Sequence, residues 1–382
     1  MNGSSPRLFK RSARGQKKRA CLGVRTSIQT LLNQTTTNNP GISIIYSGLF
    51  NSADMLVAGV MILSVISSLI ISMVLSGLLA HHLRSPRFMG VDVHKPEKPR
   101  IPKIGGLALA AAYGVVMLMN MLVGGGSAEL VLLVSPLIAA VIGLLEDARE
   151  LNPLTKPLLL LLPALPVLLL STYNPYPIIP IIGGVRITLI YPILVLVAYT
   201  VVANAINSVD VLNGSLALSA LPILLLLAAL SWLEGVFGAA TACLVLSAAL
   251  LGFLRYNWYP AKIFGGNVGS NLVAAVVTTV AIVARLEVVT MVALLPHILN
   301  EFFIIVSMGG LKSGKSLASR PIEFVSGLIV ASRKPSDPLT LVRLIASQRP
   351  MSEVAISKSI AVISIYSSLL AAATYLIGRL TA

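Results

Sequence analysis

The sequence predicts an all-α fold: a polytopic membrane protein of about ten transmembrane helices with a short external β-hairpin. The first reason is composition, because the 382 residues are 56% hydrophobic and only 11% charged, with a mean hydropathy of +0.88. Soluble domains carry about 25% charged residues. The second reason is that apolar stretches of roughly 20 residues, the length that spans a bilayer, recur along the chain. The third is that polar clusters lie at the ends of these stretches.

The apolar stretches give the elements in chain order. The fourth is shorter than the others and also fits a buried or tilted helix. After it, the segment 178–189 carries Gly183 and Gly184 between strand-forming residues, which predicts the hairpin. The predicted spans are 55–80, 104–123, 129–145, 157–171, 189–206, 214–233, 235–254, 267–284, 287–309 and 356–378.

A basic leader precedes the first span and sets the domain division. Residues 7–25 hold eight lysines and arginines and no acid. Such a segment can bind nucleic acid or anionic lipid. A disordered extension, or a start codon placed too early with Met55 as the true start, is the simpler interpretation, so no nucleic-acid partner is expected. The predicted domains are a leader at 1–54 and a single transmembrane domain at 55–382.

The two cysteines and four histidines do not predict a metal or disulfide site. Cys21 and Cys243 are far apart in sequence, and no Cys-x-x-Cys motif occurs. The histidines lack metal-ligand spacing as well. A zinc site and a disulfide framework are therefore not supported.

Basic residues in alternate loops predict the orientation. They crowd the loops 81–103 and 310–355, whereas the intervening loops are nearly bare apart from Arg186 and Arg285. The positive-inside rule places the basic loops in the cytoplasm. The polar clusters at the ends of the spans then all lie on the cytoplasmic side.

The first cluster pairs two acids with a lysine. Glu146 and Asp147 end the third span, and Lys156 follows nine residues after Asp147. Adjacent acids cannot share one helix face, but at an unwinding terminus both can point into a cleft. Acids and a lysine at a membrane surface suit a metal-bound phosphate. A solvated loop with a salt bridge fits this cluster equally well.

The second cluster is more specific. Asn204, Asn207, Asp210 and Asn213 recur at three-residue steps, which on a helical turn would form one polar stripe. Capping or a turn at Asn213-Gly214 explains part of this pattern. Four amides and acids within ten residues exceed what capping requires, so a binding function is favoured.

The third cluster is a glycine-rich turn that enters a helix. Residues Gly265 to Ser270 place backbone N–H groups and a positive helix end where an anion could bind. Such a turn is a weak signal when it stands alone. The turn becomes a stronger indication of a binding site because it lies beside the other clusters.

Together these segments resemble the polyprenyl-phosphate N-acetylhexosamine-1-phosphate transferase superfamily (glycosyltransferase family 4). Within it, they are most similar to the dolichyl-phosphate GlcNAc-1-phosphate transferase branch. The resemblance runs from about residue 55 to the C-terminus and excludes the leader. The segments that carry it are Gly90 to Lys95 with Gly105-Gly106, Glu146-Asp147 with Lys156, Asn204 to Asn207 with Asn213-Gly214, Asn257 to Pro260 with Phe264, Pro296 to Asn300, Arg320-Pro321 and Pro338 to Leu341.

The resemblance implies an Mg²⁺-dependent enzyme, with Mn²⁺ as a substitute. The phosphate of a polyprenyl (dolichyl) phosphate attacks the β-phosphorus of a UDP-N-acetylhexosamine. The products are lipid-diphosphate-sugar and UMP, the first step of lipid-linked glycan assembly. A homodimer in the membrane is compatible with the sequence. The implied roles are catalysis for Asp147, Glu146 and Lys156, metal binding for Asn207 and Asn267, and substrate binding for Asn204, Asp210, Asn213, Asp92, Lys95 and Arg320.

Two positions depart from the family pattern. Glu146 replaces the first aspartate of the acidic pair, and Asn267 occupies the place of the family's metal-associated aspartate. An amide oxygen can ligate Mg²⁺ but brings no charge. Two alternatives therefore stay open beside an active enzyme: a catalytically silent paralogue that still binds nucleotide sugar or polyprenyl phosphate, and a transporter.

Overall fold

The computed structural model describes residues 52–83, 85–93, 95, 97–149, 152, 155–310 and 320–381. The predicted leader, apart from its last three residues, lies outside this range, and so do Lys312 and Lys315 of the last basic loop. Within the described range the chain is mostly helical, with three small two-stranded hairpins.

Eight helices are long and apolar enough to cross a membrane. This length is expected, because a helix satisfies its own backbone hydrogen bonds and can therefore pass through hydrocarbon. The eight helices are α1 (Ser52–His82), α2 (Gly106–Gly124), α3 (Ser127–Ala148), α6 (Tyr191–Val209), α7 (Ser215–Leu233), α8 (Phe237–Asn257), α9 (Gly266–Val283) and α13 (Glu353–Thr381).

Two of the ten predicted spans differ from a single long helix. The span predicted at 287–309 consists of α10 (Glu287–Ala293) and α11 (Leu295–Ser307), which meet at a bend of 66°. Counting this pair as one span brings the total to nine. The span predicted at 157–171 is not one helix but α4 (Thr155–Leu159), a 3₁₀ turn and α5 (Leu165–Leu169). Prolines at 157, 163 and 166 interrupt it, because proline cannot donate the helical hydrogen bond.

The predicted hairpin forms at one end of the helix bundle, but Gly183 and Gly184, which were predicted to form its turn, form its second strand. Its strands β3 (Ile178–Ile179) and β4 (Gly183–Gly184) pair antiparallel. Arg285, just past the end of α9, donates to the carbonyl of Tyr176 next to this hairpin, at 3.0 Å. The hairpin therefore lies at the end of the bundle opposite the start of α9.

The other two hairpins were not predicted and lie at the end where α9 begins. β1 (Met89–Val91) pairs with β2 (Arg100–Pro102), and β5 (Ile322–Val325) pairs with β6 (Leu328–Ala331). The N–H of Phe264 donates to the Pro102 carbonyl at 2.8 Å, which ties the first hairpin to the segment that leads into α9. A short helix, α12 (Leu341–Ala346), follows the last hairpin.

The core of the bundle is built around α9, which is buried along most of its length and packs against α3, α6, α2 and α8. On the periphery, α1 packs against α8 through small polar side chains. Ser68 and Ser72 donate to the carbonyls of Val245 and Ala249 at 2.8 and 2.7 Å. Such contacts suit helices in lipid, where small residues let backbones approach closely.

Candidate active site

Three side chains from three helices form a hydrogen-bonded line at the end of the bundle where α9 begins. Asn267, in the first turn of α9, donates from Nδ2 to Oδ1 of Asp147 at the end of α3, at 3.0 Å. Its Oδ1 accepts from Nδ2 of Asn207, in the last turn of α6, at 2.7 Å. Asn207 also donates to Oγ of Ser270 at 2.8 Å. The structure thus brings together residues that are 60 and 120 positions apart in the chain.

The hydrogen-bonded line of Asp147, Asn267 and Asn207 requires glycines at the points where neighbouring backbone segments come into contact. Gly266 has φ +64°, and a Cβ there would lie 2.0 Å from the Lys103 carbonyl oxygen and 2.5 Å from Oδ2 of Asp147. A Cβ on Gly143 of α3 would lie 2.4 Å from the Asn267 carbonyl oxygen. Only residues without side chains let α3 and the 103–106 segment approach the start of α9 this closely.

The line borders a cavity of about 290 Å³, which we call the inner cavity. Lys103 lines it beside Asn207, Asp210 and Asn267. Lys103 lies at the end of the first hairpin, and its charge acts on the Asp147 carboxylate. It was missed as a site residue, because in the sequence it is one of several basic residues in the loop 81–103.

Asp210 contributes a second carboxylate to the inner cavity. It follows the end of α6 and accepts hydrogen bonds from the Leu216 N–H and the Ser215 hydroxyl at the start of α7. Removal from bulk water, together with the nearby Asp147 carboxylate, raises the pKa of Asp210 to about 7. The charged form therefore grows as the pH rises through 7, and a cation in the cavity would extend it to lower pH.

Glu146 and Lys156 form a separate ion pair beside this cavity. Nζ of Lys156 lies 2.9 Å from Oε1 of Glu146, with both side chains mostly buried. Glu146 and Asp147 both lie within α3, so the two acids face different partners, Lys156 and Asn267, rather than one cleft. The charge of Lys156 also acts on Glu301 of α11.

The predicted stripe from Asn204 to Asn213 is not a single helical face. α6 ends at Val209, and Asn204 donates to the carbonyl of Thr200 in its own helix, at 3.0 Å. Asn204 does not line the inner cavity, whereas Asn207, Asp210 and Asn213 do. The spacing was misleading because the chain leaves the helix after the second asparagine.

Asp92, Lys95 and Asn213 belong to a buried polar junction. Nζ of Lys95 lies 3.1 Å from Asp92 and 2.7 Å from Glu353, and 4.1 Å from the ring centre of Tyr259. Asn213 donates to Asp92 at 3.3 Å. The Lys95 ammonium is thus shared by two carboxylates, an arrangement that its predicted role in substrate binding did not anticipate.

Arg320 lies away from the inner cavity. It lines a larger cavity of about 730 Å³, the outer cavity, with Lys95, Lys98, Lys334 and the turn between β5 and β6. Val93 lines both cavities. The structure therefore does not bring Arg320 next to Asp147 and Asn207.

The glycine-rich turn does not present a free helix N-terminus. The Val268 N–H, in the first turn of α9, donates to Oδ2 of Asp147 at 3.3 Å. The carboxylate thus takes a position that the sequence suggested for a substrate anion, and it interacts favourably with the helix dipole.

The donor set of the inner cavity fits a hard divalent cation. Among the described residues, no cluster of three or more His, Cys, Asp or Glu could hold a metal. Asp210 nevertheless lines the cavity, Asp147 lies beside it through its bond to Asn267, and the two bonds of the Asn207 amide nitrogen leave its amide oxygen for another partner. Mg²⁺ normally takes one or two carboxylates and completes its shell with water and substrate phosphates.

Comparison with known proteins agrees with this geometry. Residues 129–285 match the family model for glycosyl transferase family 4. The chain is 28% identical over 248 residues to a protein of Sulfolobus acidocaldarius named as a candidate UDP-N-acetylglucosamine–dolichyl-phosphate N-acetylglucosaminephosphotransferase. This match covers 63% of the chain and 76% of the relative.

Two further relatives belong to other archaea. A protein of the same name from Saccharolobus solfataricus is also 28% identical, with the same coverage of 63% and 76%. A candidate glycosyltransferase of Methanocaldococcus jannaschii is 27% identical over 64% of the chain and 75% of its own length. The region that matches glycosyl transferase family 4, residues 129–285, contains Asp147, Asn207, Asp210 and Asn267, and it lies in a chain with several helices long and apolar enough to cross a membrane.

Proposed function

We propose that this protein transfers N-acetylglucosamine 1-phosphate from UDP-GlcNAc to a polyprenyl phosphate of the dolichyl type. The products would be lipid-diphosphate-GlcNAc and UMP. The observation that carries the proposal is the convergence of Asn207, Asn267, Asp210 and Lys103 on one cavity at the ends of apolar helices, with Asp147 hydrogen-bonded to Asn267 beside it. The family consists of sugar-1-phosphate transferases, and the names of two archaeal relatives give the sugar and the lipid.

The reaction requires the protein to align the two phosphates rather than to supply a strong general base. A phosphate monoester has its second pKa near ~6, so the attacking oxygen of the lipid phosphate is mostly ionised at neutral pH. Rate enhancement then comes from holding the two phosphates in line and balancing their charge.

We assign these tasks to particular residues. Lys103 would bind the diphosphate of the nucleotide sugar, because its ammonium belongs to the inner cavity. Asp147, Asp210 and the amide oxygen of Asn207 would hold Mg²⁺, while Asn267 keeps Asp147 and Asn207 in place. Bound Mg²⁺ supplies charge neutralisation for the diphosphate.

The lipid phosphate would approach from the side of the Glu146–Lys156 pair. This pair lies at the end of α3, where the broken segment 155–169 begins. A phosphate dianion can compete with the Glu146 carboxylate for the Lys156 ammonium, since both are anionic acceptors. The nucleotide and the lipid would thus reach Asp147 from two sides, with the inner cavity on one side and the ion pair on the other.

One observation favours a second candidate, a silent paralogue that binds nucleotide sugar without turning it over. Asn267 uses both side-chain atoms in hydrogen bonds and carries no charge, so the site has one carboxylate fewer than the family pattern. Asp210 keeps a second carboxylate in the cavity and therefore favours the active enzyme.

The deciding experiment measures transfer directly. Purified protein is incubated with Mg²⁺, dolichyl phosphate and radiolabelled UDP-GlcNAc, and label is counted in the organic phase. We expect label that requires metal and falls at least ~100-fold in Asp147→Asn, since a group that stabilises phosphoryl charge is removed. Absence of label, in protein that still binds UDP-GlcNAc, would contradict the proposal and support the silent paralogue.

A further inference from the structure

A carboxylate outside both cavities fastens two walls of the inner cavity. Glu353 opens the last helix, α13, and is 4% exposed. It lies beyond residues 129–285, which match the family model. In the sequence it resembles an ordinary acid at the start of a helix, where the helix dipole favours negative charge.

The two carboxylate oxygens of Glu353 bind different segments. Oε2 accepts from Nζ of Lys95, in the turn of the first hairpin, at 2.7 Å. Oε1 accepts from the backbone N–H of Asn213, in the turn between α6 and α7, at 2.7 Å. One side chain therefore joins the start of α13 to two loops that are far from it in sequence.

Asn213 extends this junction to a third loop. Its Oδ1 accepts from the N–H of Ala261 at 2.6 Å, and its carbonyl accepts from the Ser357 hydroxyl at 3.1 Å. These hydrogen bonds of Asn213 all join it to other protein groups. Asn213 therefore shapes the cavity rather than offering a free amide to a ligand.

The loops joined in this way supply much of the inner cavity lining. Asp92 and Val93 come from the first hairpin turn, and Asp210 to Asn213 come from the second turn. The Asp92–Lys95 turn also stands between the cavities, since Asp92 lines the inner one and Lys95 the outer one. No contact of Glu353 reaches the Glu146–Lys156 pair.

We propose that Glu353, acting through Lys95 and Asn213, is a positioning residue that sets the width of the nucleotide-sugar site without touching the substrate. The proposal rests on the proposed function, because it takes the inner cavity as the nucleotide site. Loss of the Glu353 contacts frees the two turns to move apart, which weakens nucleotide binding and leaves the lipid-phosphate side unchanged.

The test compares Glu353→Gln and Glu353→Asp with the full-length wild type in detergent. Glutamine keeps an acceptor for Asn213 but loses the ion pair with Lys95. Aspartate keeps the charge but is one methylene too short to reach both partners. We expect KM for UDP-GlcNAc and Kd for UDP to rise about tenfold in Glu353→Gln, with kcat changed less than about threefold and KM for dolichyl phosphate unchanged.

Glu234→Gln is the matched control. Glu234 pairs with Arg379 at 3.3 Å and accepts from Tyr375 at 2.6 Å, both near the other end of α13. The variant therefore loses a more exposed ion pair of the same helix, far from the inner and outer cavities. We expect wild-type values for both substrates in this variant.

The result that overturns the proposal is an unchanged KM for UDP-GlcNAc in both Glu353 variants, or a fall in kcat with equal changes in both KM values. If Glu353→Gln does not fold, Glu353→Asp decides between these outcomes on the same criteria. A wild type that neither transfers label nor binds UDP would contradict the proposed function instead, and the two failures are therefore distinguishable.

Discussion

At the scale of single residues, Asn267 decides how the site is held together. An aspartate there would place two carboxylates about 3 Å apart, given the 3.0 Å contact between Asn267 and Asp147. The asparagine replaces that repulsion with a hydrogen bond and accepts a second one from Asn207 at 2.7 Å. The two hydrogen bonds thereby hold the site in place. In exchange, the site lacks one negative charge that would attract a cation.

The variant Asn267→Asp should make the stability of the protein depend on metal. Without a divalent cation, the new carboxylate repels Asp147 and loses a donor, which we expect to cost ~2–5 kcal/mol. The thermal unfolding midpoint in EDTA should fall by about 5 °C or more. Excess Mg²⁺ should restore most of the loss, because a cation between the carboxylates removes the repulsion.

Asn204→Asp is the control for this experiment, since Asn204 also lies in α6 but bonds to the Thr200 carbonyl of its own helix and does not line the inner cavity. Its unfolding midpoint should not respond to Mg²⁺ more than that of the wild type. Equal midpoints of Asn267→Asp in EDTA and in Mg²⁺ would show that Asp147 and residue 267 do not share a cation-binding environment.

At the scale of elements, the site exists because the start of α9 can approach α3 and the 103–106 segment. The N–H groups of Gly105 and Gly106 donate to the carbonyls of Phe264 and Gly265 at 2.8 and 2.9 Å. Gly266 follows with a positive φ and no room for a side chain. A short backbone ladder, rather than side-chain packing, therefore sets the position of Asn267.

Gly266→Ala should separate these elements. The added methyl meets two oxygens at 2.0 and 2.5 Å, and the residue must keep φ +64°. We expect a loss of ~2–4 kcal/mol of stability from overpacking and backbone strain. Transfer activity should also fall, since Asn267 moves relative to Asp147.

The variant Gly235→Ala distinguishes the effect of backbone strain at a positive φ from the effect of steric overlap of the added Cβ. Gly235 also has a positive φ, +73°, but nothing lies within 4 Å of a Cβ there. It should lose only about 1 kcal/mol and keep its activity. If both variants lose the same stability, close approach at Gly266 does not hold the site together.

The elements also show how much the sequence could predict. Most spans were recognised, because lipid requires continuous apolar helices whatever the packing. The hairpins β1–β2 and β5–β6 were missed, since strands of three or four residues give no periodic signal and the Phe264–Pro102 pairing is not local. In the site, Asp147, Asn207 and Asn267 could be found as polar residues at helix ends. Lys103 and Glu353 could not, because a loop lysine and a helix-starting acid have simpler explanations.

At the scale of the whole molecule, charge separates the two ends of the bundle. At the end with the cavities, the described loops carry many cations, among them Lys98, Arg320 and Lys334 lining the outer cavity. At the opposite end, the basic residues within the described part of the chain are few: Arg186 near the β3–β4 hairpin, Arg285, and Arg379 near the end of α13. We therefore propose that the cavities face the cytoplasm, where UDP-sugars are available.

Cysteine labelling in intact cells tests this orientation. In a background without Cys21 and Cys243, Ile182→Cys places a thiol in the hairpin at the opposite end, where the native side chain is 71% exposed. Lys334→Cys places one on the exposed rim of the outer cavity. A membrane-impermeant maleimide should label Ile182→Cys in intact cells and Lys334→Cys only after lysis. The reverse pattern would place the cavities outside and separate them from cytoplasmic UDP-GlcNAc, so the proposed transfer would need a donor on the other side of the membrane.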